Sequence, residues 1–373
     1  MPSQVTFVTA NTLKKVQEDY ALLSKTTSFS LQDLFNYGQF RLEDYCKTFY
    51  PHPQSRELTA MVQQFSEQYG IWLDNAKYYI SCALFLYPTA SFDRMLAMVQ
   101  NCAIDYYLND TMGREIFSLL SPAEQHRAHT IIERMGRVNE QLQLEPQAAP
   151  VEQANIEMLT FIKNDSPRRW FREFVEMYSY HIAVTHKDNN AAALNYIPTV
   201  EEYIEMRNHT SGMPHIVLLI EYSENAYLDW HTLERLGMAA RLRKIQRASA
   251  LIGCLMNDLF SFEKEVIKNN TDANLLMSIA LNHPSYSLTD VIHHGAAIVQ
   301  AELKTFMSNI DELKFQCQLY EATEPAAMDA LRKNMEGLER VVQASWAWQV
   351  YTRRYKKSFS IWEETQLAVP AMA

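Results

Sequence analysis

Asn257, Ser261 and Glu265 stand at i, i+4 and i+8. On a regular α-helix of 3.6 residues per turn, their side chains stack along one face. An amide oxygen, a hydroxyl and a carboxylate in line form a ladder of hard oxygen donors, which suits Mg²⁺ better than zinc. Lys264, seven residues after Asn257, falls on the same face. A cation beside metal ligands is out of place in a closed metal cage, but it fits an anion bridging the metals, such as a diphosphate. Polar residues at helical spacing more often form a solvated face. The flanks oppose that reading here, because Leu251, Ile252, Cys254, Leu255, Met256, Leu259, Phe260 and Phe262 make the segment apolar nearly all round. Buried Asn, Ser and Glu need partners, since an unpaired buried charge is very costly, and metal ions with a polyanionic substrate supply them. Asp258 points away from the ladder and reads as a structural partner.

The elements that must position this ladder are helices. The chain has 373 residues, 47% hydrophobic and 21% charged, with only 9 glycines. Leu, Met, Ala, Glu and Gln dominate, and no run of alternating β-branched residues appears, so an all-α fold is expected. Helical patterns recur over 54–69, 73–86, 91–110, 122–141, 151–164, 166–186, 230–268, 272–282, 286–309 and 325–355. Ser121-Pro122 and Thr199 are start signals, the latter opening a helix that breaks at Ser211-Gly212 and restarts at Pro214. Short connections between long helices imply one compact bundle over 36–373, preceded by a loosely attached lead-in, 1–35, with one short amphipathic helix.

The net charge of −10 argues against nucleic acid as a partner. Cys46, Cys82, Cys102, Cys254 and Cys317 are scattered without zinc-site spacing and fit a reducing compartment. The start Met1-Pro2-Ser3-Gln4 lacks signal-peptide character, and no 18-residue apolar run exists. A soluble, cytoplasmic protein without a membrane span, monomeric or homodimeric, is expected.

The segment from Asn257 to Glu265 resembles the signature of bacterial-type class I terpene synthases (terpene cyclases), Asn-Asp-x-x-Ser-x-x-x-Glu with Lys before the Glu. Three further marks stand in the family's order: the acidic helix Asp105-Tyr106-Tyr107-Leu108-Asn109-Asp110, Arg207 ahead of Ser211-Gly212-Met213-Pro214, and Trp348-x5-Arg354-Tyr355. The resemblance covers about residues 60–360 and implies a single-domain α-helical barrel of the class I isoprenoid synthase fold, enclosing an apolar cavity. It further implies Asp105 as the principal metal ligand of the acidic motif, with Asn109 and Asp110 secondary; for those two a helix C-cap is an equal reading. The family's usual second aspartate is replaced by Tyr106. By the same resemblance Arg207 senses diphosphate, and Arg354 and Tyr355 hydrogen-bond it. The break at Ser211 or Gly212 would turn a helix-end carbonyl toward a cation. Trp346 and Trp348 cannot share a helix face; Trp348 is the cavity candidate for cation–π stabilisation and Trp346 is core. His181 and His186, with no acidic residue at helical spacing, read as structural, as does His293-His294.

The implied reaction is metal-triggered ionisation of a linear isoprenyl diphosphate followed by cyclisation, with three Mg²⁺ ions, or Mn²⁺ in their place. Chain-elongating prenyl transfer is the related alternative, and a non-catalytic helical scaffold with an eroded acidic motif is the alternative of a different class. On chain length, Asn101 and Cys102 lie one turn before Asp105, with Ala97 and Met98 a turn deeper. No aromatic ring stands on this wall, so C20 geranylgeranyl diphosphate is slightly favoured over C15 farnesyl diphosphate, and Asn101 could hold a water that yields an alcohol.

Overall fold

The structure, a computed structural model, describes residues 4–113 and 116–367. The first three residues of the lead-in and residues 368–373 of the expected bundle lie outside the described residues. All regular elements among the described residues are helical, and extended backbone meets only at three isolated bridges: Phe29 with Trp362, Tyr37 with Phe40, and Lys357 with Gln366.

The chain opens with α1 (Gln4–Leu23), α2 (Leu31–Phe35), α3 (Leu42–Cys46), α4 (Ser55–Gln68), α5 (Ala76–Leu86) and α6 (Phe92–Met112). After a 3₁₀ turn at Phe117–Leu119 come α7 (Pro122–Met135), α8 (Pro150–Asn164), α9 (Arg168–Thr185) and α10 (Ala191–Leu194). The helix starts read from sequence hold. Ser121 and Glu124 form a reciprocal capping box with Pro122 at the first helical position, and Thr199 with Glu202 does the same for α11 (Val200–Thr210).

The break after α11 is built by Gly212, whose φ of +77° no side-chain-bearing residue adopts without strain. A Cβ there would also meet His215 Cε1 at 2.9 Å. The chain restarts as α12 (Met213–Ser223), followed by α13 (Trp230–Arg235) and α14 (Ala239–Phe262). The single helix expected over 230–268 is therefore three pieces. Gly237, at φ +70°, ends α13. At the far end α14 passes into a π-helical turn, Glu263–Lys268, in which Asn269 N–H reaches back to the Lys264 carbonyl. The fold closes with α15 (Leu275–Asn282), α16 (Leu288–Tyr320) and α17 (Pro325–Tyr351).

Central α14 packs against α11, α12, α16 and α17, and α6 packs against α4, α5 and α8. Apolar residues all round α14 bury it, as expected: Leu255, Met256, Leu259 and Phe262 are fully enclosed. The lead-in corrects the sequence reading. Its α1 runs for 20 residues and packs against α10, α15 and α16. Tyr20 OH donates to Glu263 Oε1 at 2.6 Å, and Gln17 Nε2 to Asn270 Oδ1 at 2.7 Å. Glu364, near the other end of the chain, accepts from Leu31 N–H and Gln32 N–H at the start of α2. These polar anchors are remote in sequence, so local periodicity carried no sign of them. The five cysteines are free thiols. No helix among the described residues is long and apolar enough to cross a membrane.

Candidate active site

A pocket of about 160 Å³ opens between α5, α6, α9, α11, α12, α14 and α17. Its polar lining includes Asp105, Asn109, Arg207, Asn257, Glu265, Arg354 and Tyr355, and its apolar lining Leu86, Met213, Ile216, Ala344 and Trp348. Ser211, at the end of α11, lines it too. A second depression is lined by Tyr79, Asp110, Lys264 and Arg354 among others, so Asp110 and Lys264 face this groove and Arg354 lines both.

The ladder is not three equal rungs on a regular helix. Asn257 and Ser261 lie on α14, whereas Glu265 stands on the π-turn, where the register widens. Asn257 Oδ1 accepts from Arg207 Nη2 at 3.1 Å, and its amide nitrogen donates to Tyr355 OH at 2.9 Å and Gln349 Oε1 at 3.3 Å. Glu265 Oε2 accepts from Asn274 Nδ2 at 3.1 Å. Ser261 Oγ is enclosed and has no hydrogen-bond partner among the described residues. A buried hydroxyl left without a partner costs about 1–3 kcal/mol, and a cation beside it would remove that cost. Amide, hydroxyl and carboxylate oxygens are what a hard divalent ion takes. Among the described residues no three His, Cys, Asp or Glu side chains gather into a metal cluster; the candidate donors stand on α6 and on α14 with its π-turn.

Arg207 is buried, and its charge is held from behind. Nε donates to Asp258 Oδ1 at 2.8 Å, and Asp258 also accepts from Tyr203 OH and from Leu275 N–H. Burial, the largest effect, opposes the guanidinium charge, but Asp258 together with Tyr203, Cys254 and Glu265 outweighs it and holds the group above the usual arginine value. Asp258 is thus the structural partner expected of it. The Tyr355 hydroxyl is pushed up to about 12 by burial, against the pull of Arg354.

Asp105 corrects the reading of the histidines. His181 Nε2 lies 2.9 Å from Asp105 Oδ1, and His186 Nε2 lies 3.9 Å from the same oxygen. Thr185 Oγ1, 2.7 Å from His181 Nδ1, fixes the other side of the ring. Burial would raise the Asp105 carboxyl, but His181, by charge and hydrogen bond, with His186 and His215 beyond it, overrides burial and holds it at about 2. The acidic partner lies 76 residues away on another helix, beyond the reach of spacing within α9. Asn109 and Asp110 lie within α6, which continues to Met112, so neither caps the helix; Asn109 Nδ2 donates to Asp110 Oδ1 at 2.8 Å.

At the break, the Gly212 carbonyl accepts from Ile216 N–H at 3.1 Å, whereas no described donor bonds to the Ser211 carbonyl. The Ser211 carbonyl is therefore the one at the break without a described hydrogen-bond partner. Trp348 lines the pocket, its Nε1 held by Ser81 Oγ at 2.9 Å, and Trp346 packs edge-on against Phe35 and Phe260 in the core. Ala97, Met98, Asn101 and Cys102 are not among the residues lining the pocket. Asn101 is buried, with its Nδ2 lacking a hydrogen-bond partner among the described residues, and Cys102 Sγ donates to the Tyr79 carbonyl. The wall that was read as setting chain length is packed into neighbouring helices.

Residues 115–305 match the family described as "Terpene synthase family 2, C-terminal metal binding". The chain belongs to the terpene synthases. As a terpene synthase it is a carbon–oxygen lyase acting on an isoprenyl diphosphate, in a family whose domain binds divalent metal. It is similar to 10-epi-cubebol synthase of Sorangium cellulosum, 23% identical over 82% of this chain and 95% of that protein. It is also similar to sesquiterpene synthase Agr3 of Cyclocybe aegerita, 24% identical over 43% of this chain and 41% of that one, and to a cyclopiane-type diterpene synthase of Penicillium chrysogenum, 36% identical over 28% and 13%. Among solved structures, hedycaryol synthase in complex with HEPES superposes with a TM-score of 0.68 at 18% identity, covering 85% of this terpene synthase and 98% of that chain. The fold is the class I terpene synthase fold.

Proposed function

We propose that this terpene synthase ionises and cyclises farnesyl diphosphate, a C15 substrate, using Mg²⁺. The observation that carries the reading is the buried hydroxyl of Ser261, without a hydrogen-bond partner among the described residues and one turn from Asn257 and Glu265, which line the pocket with Asp105 although Ser261 itself does not. Asn257, Ser261, Glu265 and Asp105, with Asn109 and Asp110 in reserve, would hold three Mg²⁺ ions, or Mn²⁺ in their place. Bound there, the ions supply Lewis-acid neutralisation of the charge that develops on the leaving diphosphate.

The chain's own residues do the rest. Arg207, fixed by Asp258, presents its remaining guanidinium edge to phosphate oxygens. Arg354 and Tyr355 donate as well, and Lys264 adds its charge from the second groove. The apolar lining excludes water from the allyl cation, Trp348 offers its ring to that cation, and the Ser211 carbonyl offers its dipole.

A C15 chain is favoured over C20 on two grounds. The pocket of about 160 Å³ is close in size to an engineered cavity of roughly 150 Å³ that holds benzene, so the shorter chain demands less opening. The absence of aromatic rings on the α6 wall, which favoured C20, loses its force because that wall does not line the pocket. Competition between farnesyl and geranylgeranyl diphosphate, read as relative kcat/KM, tests this; a preference for the C20 substrate overturns the length assignment.

A further inference from the structure

Glu263 opens the π-turn and is only 2% exposed, yet the ladder itself gives it no task. Three donors converge on its carboxylate. Tyr20 OH on α1 reaches Oε1 at 2.6 Å, Ser360 Oγ reaches Oε2 at 2.6 Å, and Ile361 N–H reaches Oε1 at 3.2 Å. Lys357 Nζ stands 3.8 Å from Oε2. Tyr20 and Ser360 lie 243 residues before Glu263 and 97 after it, so both ends of the chain meet at this one side chain. One turn before Tyr20 on α1, Gln17 Nε2 donates to Asn270 Oδ1 at 2.7 Å, just past the end of the π-turn at Lys268. A single helix thus braces the π-turn at its start and beyond its end. Between the two braces stand Lys264, which lines the second groove, and Glu265, which lines the pocket.

We propose that α1 is a splint for the π-turn, with Glu263 the positioning residue through which it sets Lys264 and Glu265 toward the diphosphate. The inference rests on the metal–diphosphate reading above. Its physical basis is register. A π-turn closes i→i+5 hydrogen bonds, here Asn269 N–H to the Lys264 carbonyl at 3.1 Å, and is rare beside the α-helix it interrupts. Rewinding to α geometry would rotate the residues after Phe262 about the helix axis, and Glu265 would leave the place from which it lines the pocket. Tertiary bonds on either side of the turn oppose that rewinding. A buried carboxylate gives up its donors only at a large cost, so the bonds at Glu263 tie the first residue of the turn to fixed points on α1 and on the segment after α17. That segment also carries Arg354 and Tyr355, so the same carboxylate sets the last rung of the ladder relative to those two residues.

Two measurements on the full chain test this. The first is amide hydrogen exchange without metal, read over residues 264–270. Tyr20→Phe removes the hydroxyl but keeps the ring that packs edge-on against Phe262 with centroids 6.4 Å apart. Exchange there is expected to speed up by about 3- to 10-fold. The second is isothermal titration with inorganic diphosphate in the presence of Mg²⁺. Tyr20→Phe is expected to raise Kd by about 3- to 10-fold, and Glu263→Gln, which keeps the shape but turns an amide N–H group on its donors, by about 10- to 100-fold. Because Tyr20 acts through Glu263, adding Tyr20→Phe to Glu263→Gln should cause no further loss. If Glu263→Gln does not melt cooperatively, Ser360→Ala, which removes the other 2.6 Å donor, carries the same expectation as Tyr20→Phe. An unchanged Kd in these variants, whatever their melting temperatures, or losses that multiply in the double variant, overturns the inference and leaves the functional reading standing. Wild-type exchange rates over the turn in Tyr20→Phe overturn it as well. A wild type that binds no diphosphate with Mg²⁺ present contradicts the functional reading, and the inference falls with it.

Discussion

His181 Nε2 meets Asp105 Oδ1 at 2.9 Å, so the first residue of the acidic motif is held from behind by a buried histidine on a different helix. Thr185 Oγ1 fixes the far side of that ring, which makes the carboxylate one member of a chain of hydrogen bonds from α9 to α6. Such support orients a metal ligand, and its removal typically costs about 10- to 100-fold in metal affinity or activity. His181→Ala is therefore expected to raise the Mg²⁺ concentration for half-maximal turnover by about that factor. A Mg²⁺ titration of turnover beside a melting curve checks it; an unchanged titration would show that Asp105 needs no such support.

Arg207 and Asp258 form a buried pair that also ties Tyr203 and the start of α15 together. Removing one partner of a buried pair costs about 3–5 kcal/mol, so Asp258→Ala should lower the melting temperature strongly. Arg207→Lys keeps a charge for Asp258 but loses the planar fork, and it should stay folded while turnover falls by about 100-fold. Chemical denaturation and steady-state kinetics on the two variants separate these roles.

Gly212 is required on two counts, its φ of +77° and its 2.9 Å approach to His215 Cε1. Gly212→Ala should destabilise the fold by about 1–3 kcal/mol. The urea midpoint measures it, and an unchanged midpoint would mean that the α11–α12 break relaxes freely.

Glu221 predicts a pH dependence of stability. Burial, aided by Glu173 and opposed by the Leu228 N–H, raises its carboxyl from 4.5 to about 7. The folded state thus binds this proton more tightly than the unfolded chain, so the contribution to stability falls as pH rises from 4.5 through about 7. Glu221→Gln should match the wild type at pH 4 and exceed it above pH 7, by on the order of 3 kcal/mol. Denaturation at pH 4, 6 and 8 shows whether the gap opens with that sign.

Much of the site was legible because helix periodicity reports which residues share a face. Asn257 and Glu265 do reach one pocket, and Arg207, Arg354 and Tyr355, which the family resemblance singled out, reach it from two other segments. Periodicity does not report which faces meet. The contact of His181 with Asp105 was missed for that reason, although a His and a Thr one turn apart on the apolar stripe of α9, beside Tyr178 and Ile182, were the available sign. The π-turn beneath Glu265 was invisible because no residue pattern distinguishes its wider hydrogen bonding from an α-helix continuing. The chain-length argument failed on direction. Asn101 and Cys102 do lie one turn below Asp105, but neither lines the pocket, and Cys102 turns toward the Tyr79 carbonyl.

Diphosphate release from farnesyl diphosphate, measured with and without Mg²⁺ for the wild type and for Glu265→Ala, tests the central claim most directly. The wild type is expected to release diphosphate only with the metal present and to leave a cyclic terpene in the organic extract. Glu265→Ala is expected to keep its fold by circular dichroism and to lose at least about 100-fold in rate. Release by Glu265→Ala at the wild-type rate, or metal-independent release by the wild type, would contradict the assignment of this pocket as a metal–diphosphate site.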